Sequence, residues 1–270
     1  MPDAHSTRYT HGHHEAVLRS HRWRTVENSA AYVIPYLVPA ATVLDVGCGP
    51  GTITLDFGGR VAPGRVLGID AAESVIELAR AEQAERHIRN VEFRTADVYA
   101  LEIDDDTFDI VHAHQVLQHL ADPVAALREM RRVCKPGGVV AARDSDYTAM
   151  AWYPADEALD RWLEIYRVVA RANDGEPDAG RFLLAWAHAA GFTEVRSTAT
   201  AWCYATPDDR EWWGELWADR MTKTAIGDQA LEIGATTPDE LDAIAAAWHR
   251  WTADPDGWFA VPSGEILARA

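Results

Sequence analysis

Short apolar runs alternate with amphipathic stretches from about Ala41 to Asp144. ATVLDV is an apolar run that ends on glycines, and it reads as a first buried strand. ITLDFGGRV, after the glycines, reads as a helix. GRVLGID is a second strand ending at Asp70. AAESVIELARAEQAERH then places Val75, Ile76, Leu78 and Ala79 on one helical side. NVEFRTAD and TFDIVHAH are a third and a fourth strand. The next helix enters through Pro123 and stops before Lys135-Pro136-Gly137-Gly138, and GVVAARDSD is a fifth strand. Strands separated by helices need right-handed crossovers. The pattern therefore predicts an α/β fold, doubly wound, with a mostly parallel sheet and helices on both faces.

The remaining segments break this alternation. Residues 1–40 read as a helical N-terminal lid on the core at 41–146. Residues 147–178 form a cap insertion, and 179–205 a further helix, stopped by Gly191, and a strand. Residues 206–254 read as a helical cap, and 255–270 as a final strand. This gives seven strands within one domain spanning 1–270. Seven of the eleven tryptophans fall after residue 200, and Trp152 and Trp162 lie in the insertion. Small-molecule pockets are lined largely by aromatic and apolar groups, so the caps are expected to build an acceptor pocket, with most of these rings in plain core.

Composition narrows the partners. The net charge of −17 argues against nucleic acid, which needs a clustered basic footprint, and favours an apolar or neutral small molecule. No run of eighteen apolar residues suggests a membrane span, and the N-terminus lacks the pattern of a secretory signal. Three unpaired cysteines fit a reducing cytoplasm. His11, His13 and His14 lack an acid or cysteine partner, so no metal is expected. A monomer or weak dimer is expected.

The stretch VLDVGCGPGT carries the first chemistry. In a sheet of this type ligands bind at the carboxyl ends of the strands, where Gly47, Gly49 and Gly51 fall. Bare backbone and a following helix N-terminus suit a dinucleotide, a phosphate or a sulfonium cofactor. No Gly-Lys-Ser/Thr follows, which removes the P-loop. The third glycine comes one residue early for G-x-G-x-x-G, which weakens a dinucleotide. Asp70 ends the second strand, where a carboxylate can accept ribose hydroxyls. Asp97 ends the third, where it suits the edge of an adenine. Each could instead simply cap the segment that follows. Cys48 sits at the helix start, where a thiol pKa could fall, although packing beneath the loop is the favoured role.

VLDVGCGPG, VLGID, TADV, FDIVHAHQVLQHLADP and LREMRRVCKPGG together resemble the class I S-adenosylmethionine-dependent methyltransferases, with their Rossmann-like sheet. The resemblance implies S-adenosylmethionine as cofactor. Asp45, Gly47 and Gly49 would hold its methionine part, Asp70 with Ala71 its ribose, and Asp97 with Val98 its adenine. His114 would lie beside the sulfonium. Tyr9 and Arg24 are candidates for the cofactor carboxylate, Arg24 by charge pairing.

Over nearly the whole chain, RYTHGHHEAVLRSHRWRT, HQVLQHLADP, DYTAMAWYP, WCYATPDDREWWGELWADR and DGWFAVPSGEI resemble the gliotoxin bis-thiomethyltransferase group. A bacterial branch of that group resembles the thiol methyltransferases of dithiolopyrrolones such as holomycin. The resemblance implies S-methylation of a reduced dithiol, in self-protection or tailoring of a natural product. A C- or O-methyltransferase of a quinone or polyketide-like acceptor is the alternative, and a non-methylating cofactor binder a third. A thiol needs no dedicated base. His114, His119, Asp146 and Tyr147 are the candidates at strand carboxyl ends should one be used.

Overall fold

The computed structural model describes residues 23–270, which leaves Tyr9, His11, His13, His14 and most of the expected lid outside the described residues. Strands β1 (Thr42–Val46), β2 (Arg65–Asp70), β3 (Val91–Thr95), β4 (Phe108–His114) and β5 (Cys134–Ser145) run parallel in the order β3-β2-β1-β4-β5. β1, β2 and β4 are nearly continuous buried runs because helices cover both faces, whereas β3, at the sheet edge, alternates, with Val91 and Phe93 buried. β8 (Trp258–Arg269) pairs antiparallel with β5 on one side and with β7 (Val195–Tyr204) on the other.

This is the expected α/β, mostly parallel architecture, with eight strands rather than seven. The extra strand is β6 (Ala151–Tyr153), three residues followed by Pro154. β8 extends beyond the end of β5, so its first residues, Trp258 to Ala260, expose an edge that β6 takes up. Three residues are too few to show an alternating pattern. At the N-terminal side, the described part of the region read as helical is one α-turn, α1 (Val26–Ser29), followed by a 3-10 turn over Ala31–Tyr36.

The crossover helices are α2 (Thr52–Val61), α3 (Glu73–Arg86) and α4 (Pro123–Val133). α4 shows how the sequence specifies them. Asp122 caps it by accepting from the Ala125 N–H at 2.9 Å, Pro123 opens it, and Arg131 and Arg132 sit in its last turn. Its stripe of Ala126, Leu127, Met130 and Val133 is buried against the sheet. α5 (Glu157–Ala172) follows β6, and α6 (Leu183–Ala189) precedes β7.

α7 (Pro207–Lys223), α8 (Ala225–Glu232) and α9 (Pro238–Ala253) build the cap with α5. Their core is aromatic. Trp162 is fully buried, edge-on to Trp217 at 4.5 Å and to Trp248 at 4.9 Å. Edge-to-face pairs at these separations add to the burial of apolar area. No helix among the described residues is long and apolar enough to cross a membrane.

Candidate active site

β2 and β3 lie to one side of β1, and β4 and β5 to the other, so the crossovers diverge at the end of β1. There the chain turns through Gly47 (φ +63°), Gly49 (φ +55°) and Gly51 (φ +83°) into α2. A Cβ at Gly47 would stand 2.4 Å from the Val116 side chain, and one at Gly51 2.7 Å from the Phe93 ring. Steric space and left-handed backbone thus both demand glycine at these two positions. The loop is tied to β2: Gly49 N–H donates to Asp70 Oδ2 at 3.1 Å and Cys48 N–H to the Ile69 carbonyl at 2.9 Å. Ala72 N–H donates to Asp70 Oδ1 at 3.0 Å.

A cavity of about 730 Å³ opens over these strand ends. Gly47, Gly49, Asp70, Ala71, Asp97 and Val98 line the β1–β3 end. Tyr147, Trp202, Tyr204, Trp212, Trp213 and Arg220 line the cap end, and Trp23 and Arg24 enter from the start of the described chain. Trp23 packs on Trp202 at 5.5 Å and Trp212 at 5.4 Å, and the Trp202 indole donates to the Asn28 carbonyl at 2.6 Å. Four of the eleven tryptophans therefore face the cavity, and Trp162, Trp217, Trp248 and Trp251 are core.

The candidate residues separate clearly. Asp45 touches the cavity, but its carboxylate is spoken for: Thr54 Oγ1 donates at 2.5 Å, and His112 Nδ1 lies 2.7 Å away. These bonds fix the end of β1 that carries the glycine loop to α2 and β4, and Asp45 lines the cavity beside Gly47 and Gly49, where it was expected. His114 is buried in the cavity wall, 5.7 Å from the Trp202 ring. Tyr147 is also in the wall, stacked at 4.0 Å on Tyr166, and burial raises its pKa.

His119 reaches the cavity and is half-buried. Burial, then the charges of Arg24 and Arg220, lower its pKa to about 3. Asp146 does not reach it. Its carboxylate takes two 2.6 Å hydrogen bonds from Arg181 and caps the turn at Ala149, so the expectation of a base there is corrected. Ser145 and Tyr147 face the cavity while Asp146, between them, turns away. Cys48 is no activated thiol, since burial, then Asp45 and Asp70, push its pKa well up.

Sequence reasoning missed Arg220, Gln115 and Gln118. Gln115 follows β4 with φ +57°, an unusual conformation for a side-chain-bearing residue. Its Nε2 donates to Ser145 Oγ at 2.7 Å, and Gln118 Nε2 donates to Gln115 Oε1 at 2.9 Å. This pair of amides braces the wall beside His119.

Beneath it, Gln118 N–H donates to Asp144 Oδ1 at 3.2 Å. Burial raises the Asp144 pKa to about 7, against the pull of backbone N–H groups and Arg143. In the unfolded chain the carboxyl ionises near 3.8. Between these values the folded protein holds a proton that the unfolded chain has released. The contribution to stability is therefore fully present below the lower value, falls as pH rises, and levels off above about pH 7. Asp144→Asn keeps an acceptor for Gln118. It is expected to gain stability relative to wild type between pH 4 and 7, by up to roughly 4 kcal/mol, in denaturant titrations. Parallel pH dependence of the two proteins would contradict this.

A glycine loop, a carboxylate at the end of β2 and another at the end of β3, gathered in one cavity of a doubly wound sheet, define a class of enzyme that binds an adenosyl cofactor. A family model described as a methyltransferase domain matches residues 37–215, and the chain belongs to that family. It is 36% identical to the uncharacterized methyltransferase C1B3.06c of Schizosaccharomyces pombe, over 96% of this chain and 95% of that one. It is 30% identical to the probable methyltransferase ltbC of Aspergillus luteorubrus, over 96% of each.

Among solved structures, the YcgJ protein from Bacillus superposes with a TM-score of 0.60 at 19% identity, covering 90% of this chain and 98% of that one. The Haemonchus contortus phosphoethanolamine N-methyltransferase 2, in complex with S-adenosylhomocysteine, superposes at 0.55 with 16% identity, covering 86% and 49%. The fold is the Rossmann-like methyltransferase fold, and the protein is an S-adenosylmethionine-dependent methyltransferase.

Proposed function

We propose that the protein methylates a thiol of a small reduced dithiol natural product, of the gliotoxin or dithiolopyrrolone type. S-adenosylmethionine supplies a methyl group already activated by its sulfonium. In this reading Gly47 and Gly49 receive the methionine part, Asp70 and Ala71 the ribose, and Asp97 and Val98 the adenine. Arg24 pairs with the carboxylate. His114 and Trp202 form the wall between cofactor and acceptor, and Trp212 and Trp213 hold the acceptor's apolar body and exclude water. The free cysteines Cys48, Cys134 and Cys203 fit a reducing compartment, the cytoplasm.

The observation that carries the reading is the state of His119 at the cap end. His119, with its pKa near 3, holds no proton at neutral pH and is too weak a base to deprotonate a carbon or an alcohol. Tyr147 stays protonated, and Asp146 lies outside the cavity. An acceptor that arrives as its own anion suits such a site. A thiol with an ordinary pKa of about 8.5 is a few per cent thiolate near neutrality, and neighbouring cations raise that fraction.

With benzene-1,2-dithiol as acceptor, His119→Gln is expected to keep the methyl-transfer rate within roughly tenfold of wild type. A fall of more than about a hundredfold would mean that a general base is needed and that the acceptor class is wrong.

A further inference from the structure

We infer that Arg143, buried behind the cavity wall, is a positioning residue for methyl transfer: its guanidinium backs the Trp202 ring and sets that ring between cofactor and acceptor. This rests on the part given to Trp202 in the proposed function, and not on the acceptor's being a thiol.

Arg143 stands in a row of side chains that crosses the sheet. His114 on β4 is in register with Arg143 on β5, Arg143 with Glu265 on β8, and Glu265 with Thr198 on β7. Arg143 Nε lies 3.4 Å from Glu265 Oε1 and donates to Thr200 Oγ1 at 3.3 Å. Thr198 and Thr200 donate to the Glu265 carboxylate at 2.9 and 2.6 Å. Trp202 comes two residues beyond Thr200, on the same face of β7. The guanidinium carbon of Arg143 is 4.4 Å from the centroid of that ring. Trp202 lines the cavity and Arg143 does not.

The cation is costly where it stands. Arg143 is 1% exposed and Glu265 4%. Burial lowers the Arg143 pKa, with Glu265 opposing, and its Nη1 and Nη2 have no hydrogen-bond partner among the described residues. A buried ion pair often contributes no more stability than apolar side chains of the same volume. Packing therefore gives no reason for an arginine here, whereas the ring in front of it does. A cation held over one face of an indole gives the ring a preferred place.

Trp202 is where this row meets the cavity. Its ring is 5.7 Å from His114 and 5.5 Å from Trp23, and Arg24 lies 5.7 Å over it. Its indole N–H donates to the Asn28 carbonyl at 2.6 Å. One ring thus holds part of the wall and also the start of the described chain, from which Trp23 and Arg24 reach the cavity. Methyl transfer needs the donor sulfur, the methyl carbon and the acceptor in line. A displaced wall therefore costs turnover before it costs binding.

The test compares wild type with Arg143→Met/Glu265→Gln, which removes both charges at similar volume and keeps an acceptor for the two threonines. Its denaturant midpoint is expected to equal or exceed that of wild type. At saturating S-adenosylmethionine and benzene-1,2-dithiol, its kcat is expected to fall roughly tenfold or more, with KM for the dithiol within about threefold. Arg143→Lys, which keeps a cation beside Glu265, should recover part of the loss. In protein labelled with fluorotryptophan, with lines assigned by Trp202→Phe and Trp162→Phe, the Trp202 resonance should shift or broaden in the double variant while that of Trp162 stays in place.

Slower turnover and a moved Trp202 resonance, both at an undiminished midpoint, are required together, and either one alone overturns the inference. If the double variant does not fold, Arg143→Lys decides. A lowered kcat with a moved Trp202 resonance supports the inference, and wild-type kcat overturns it. If the dithiol is not methylated the thiol reading fails, and the same comparison is made with catechol. If neither reacts, the Trp202 resonance of the S-adenosylhomocysteine complex decides, and an unmoved line overturns the inference.

Discussion

Asp70→Ala is expected to weaken S-adenosylhomocysteine binding by roughly a hundredfold or more, measured by calorimetry. The carboxylate stands at the end of β2 and lines the cavity beside the glycine loop. Ribose hydroxyls donating to it would form two charge-assisted hydrogen bonds, each worth about 1.5–3 kcal/mol. The same carboxylate accepts from Gly49 and Ala72 N–H, so its loss also loosens the loop that the cofactor lies against. Asp97→Ala should cost less, because Asp97 is exposed and accepts locally, from Tyr99 N–H at 2.9 Å. Equal affinity of Asp70→Ala and wild type would remove Asp70 from the site.

Trp162→Ala is expected to carry the largest stability loss, about 3–5 kcal/mol in denaturant titrations. The indole is fully buried where α5, α7 and α9 meet, against Trp217, Trp248 and Phe259. Removing it leaves a cavity walled by large rigid rings that cannot collapse to fill the space. Trp217 supports Arg220, and Trp213 packs on both Trp217 and Tyr204, so cap damage reaches the acceptor end directly. The acid end rests on β1–β3 and a separate core, and S-adenosylhomocysteine binding should survive below the unfolding transition. A loss under about 1 kcal/mol would contradict a central packing role for Trp162.

The half of the molecule that binds cofactor was legible in sequence because its signals are local. β1, β2 and β4 are buried runs bounded by glycines and turns, and Asp70 and Asp97 stand at strand ends where the topology brings them together. What was misread depends on partners far along the chain. Asp146 is held by Arg181, 35 residues away, and caps the turn at Ala149. A strand's alternation turned Asp146 aside while Ser145 and Tyr147 faced the cavity, and the turn after β5 hid that register. β6 is too short for any period and exists because β8 outruns β5. Arg220 was masked by a charge count that averages over the surface. Its only signal was helical spacing from Trp217 in ELWADR, which places the two side chains together.

The central claim is that this cavity methylates an acceptor that brings its own anion. It is tested most directly by supplying methyl-labelled S-adenosylmethionine with benzene-1,2-dithiol or catechol, at equal concentration near neutral pH, and following label in each product. The account predicts rapid S-methylation of the dithiol and transfer to catechol slower by roughly a hundredfold or more. Catechol methylated as fast as the dithiol, or faster, would contradict it.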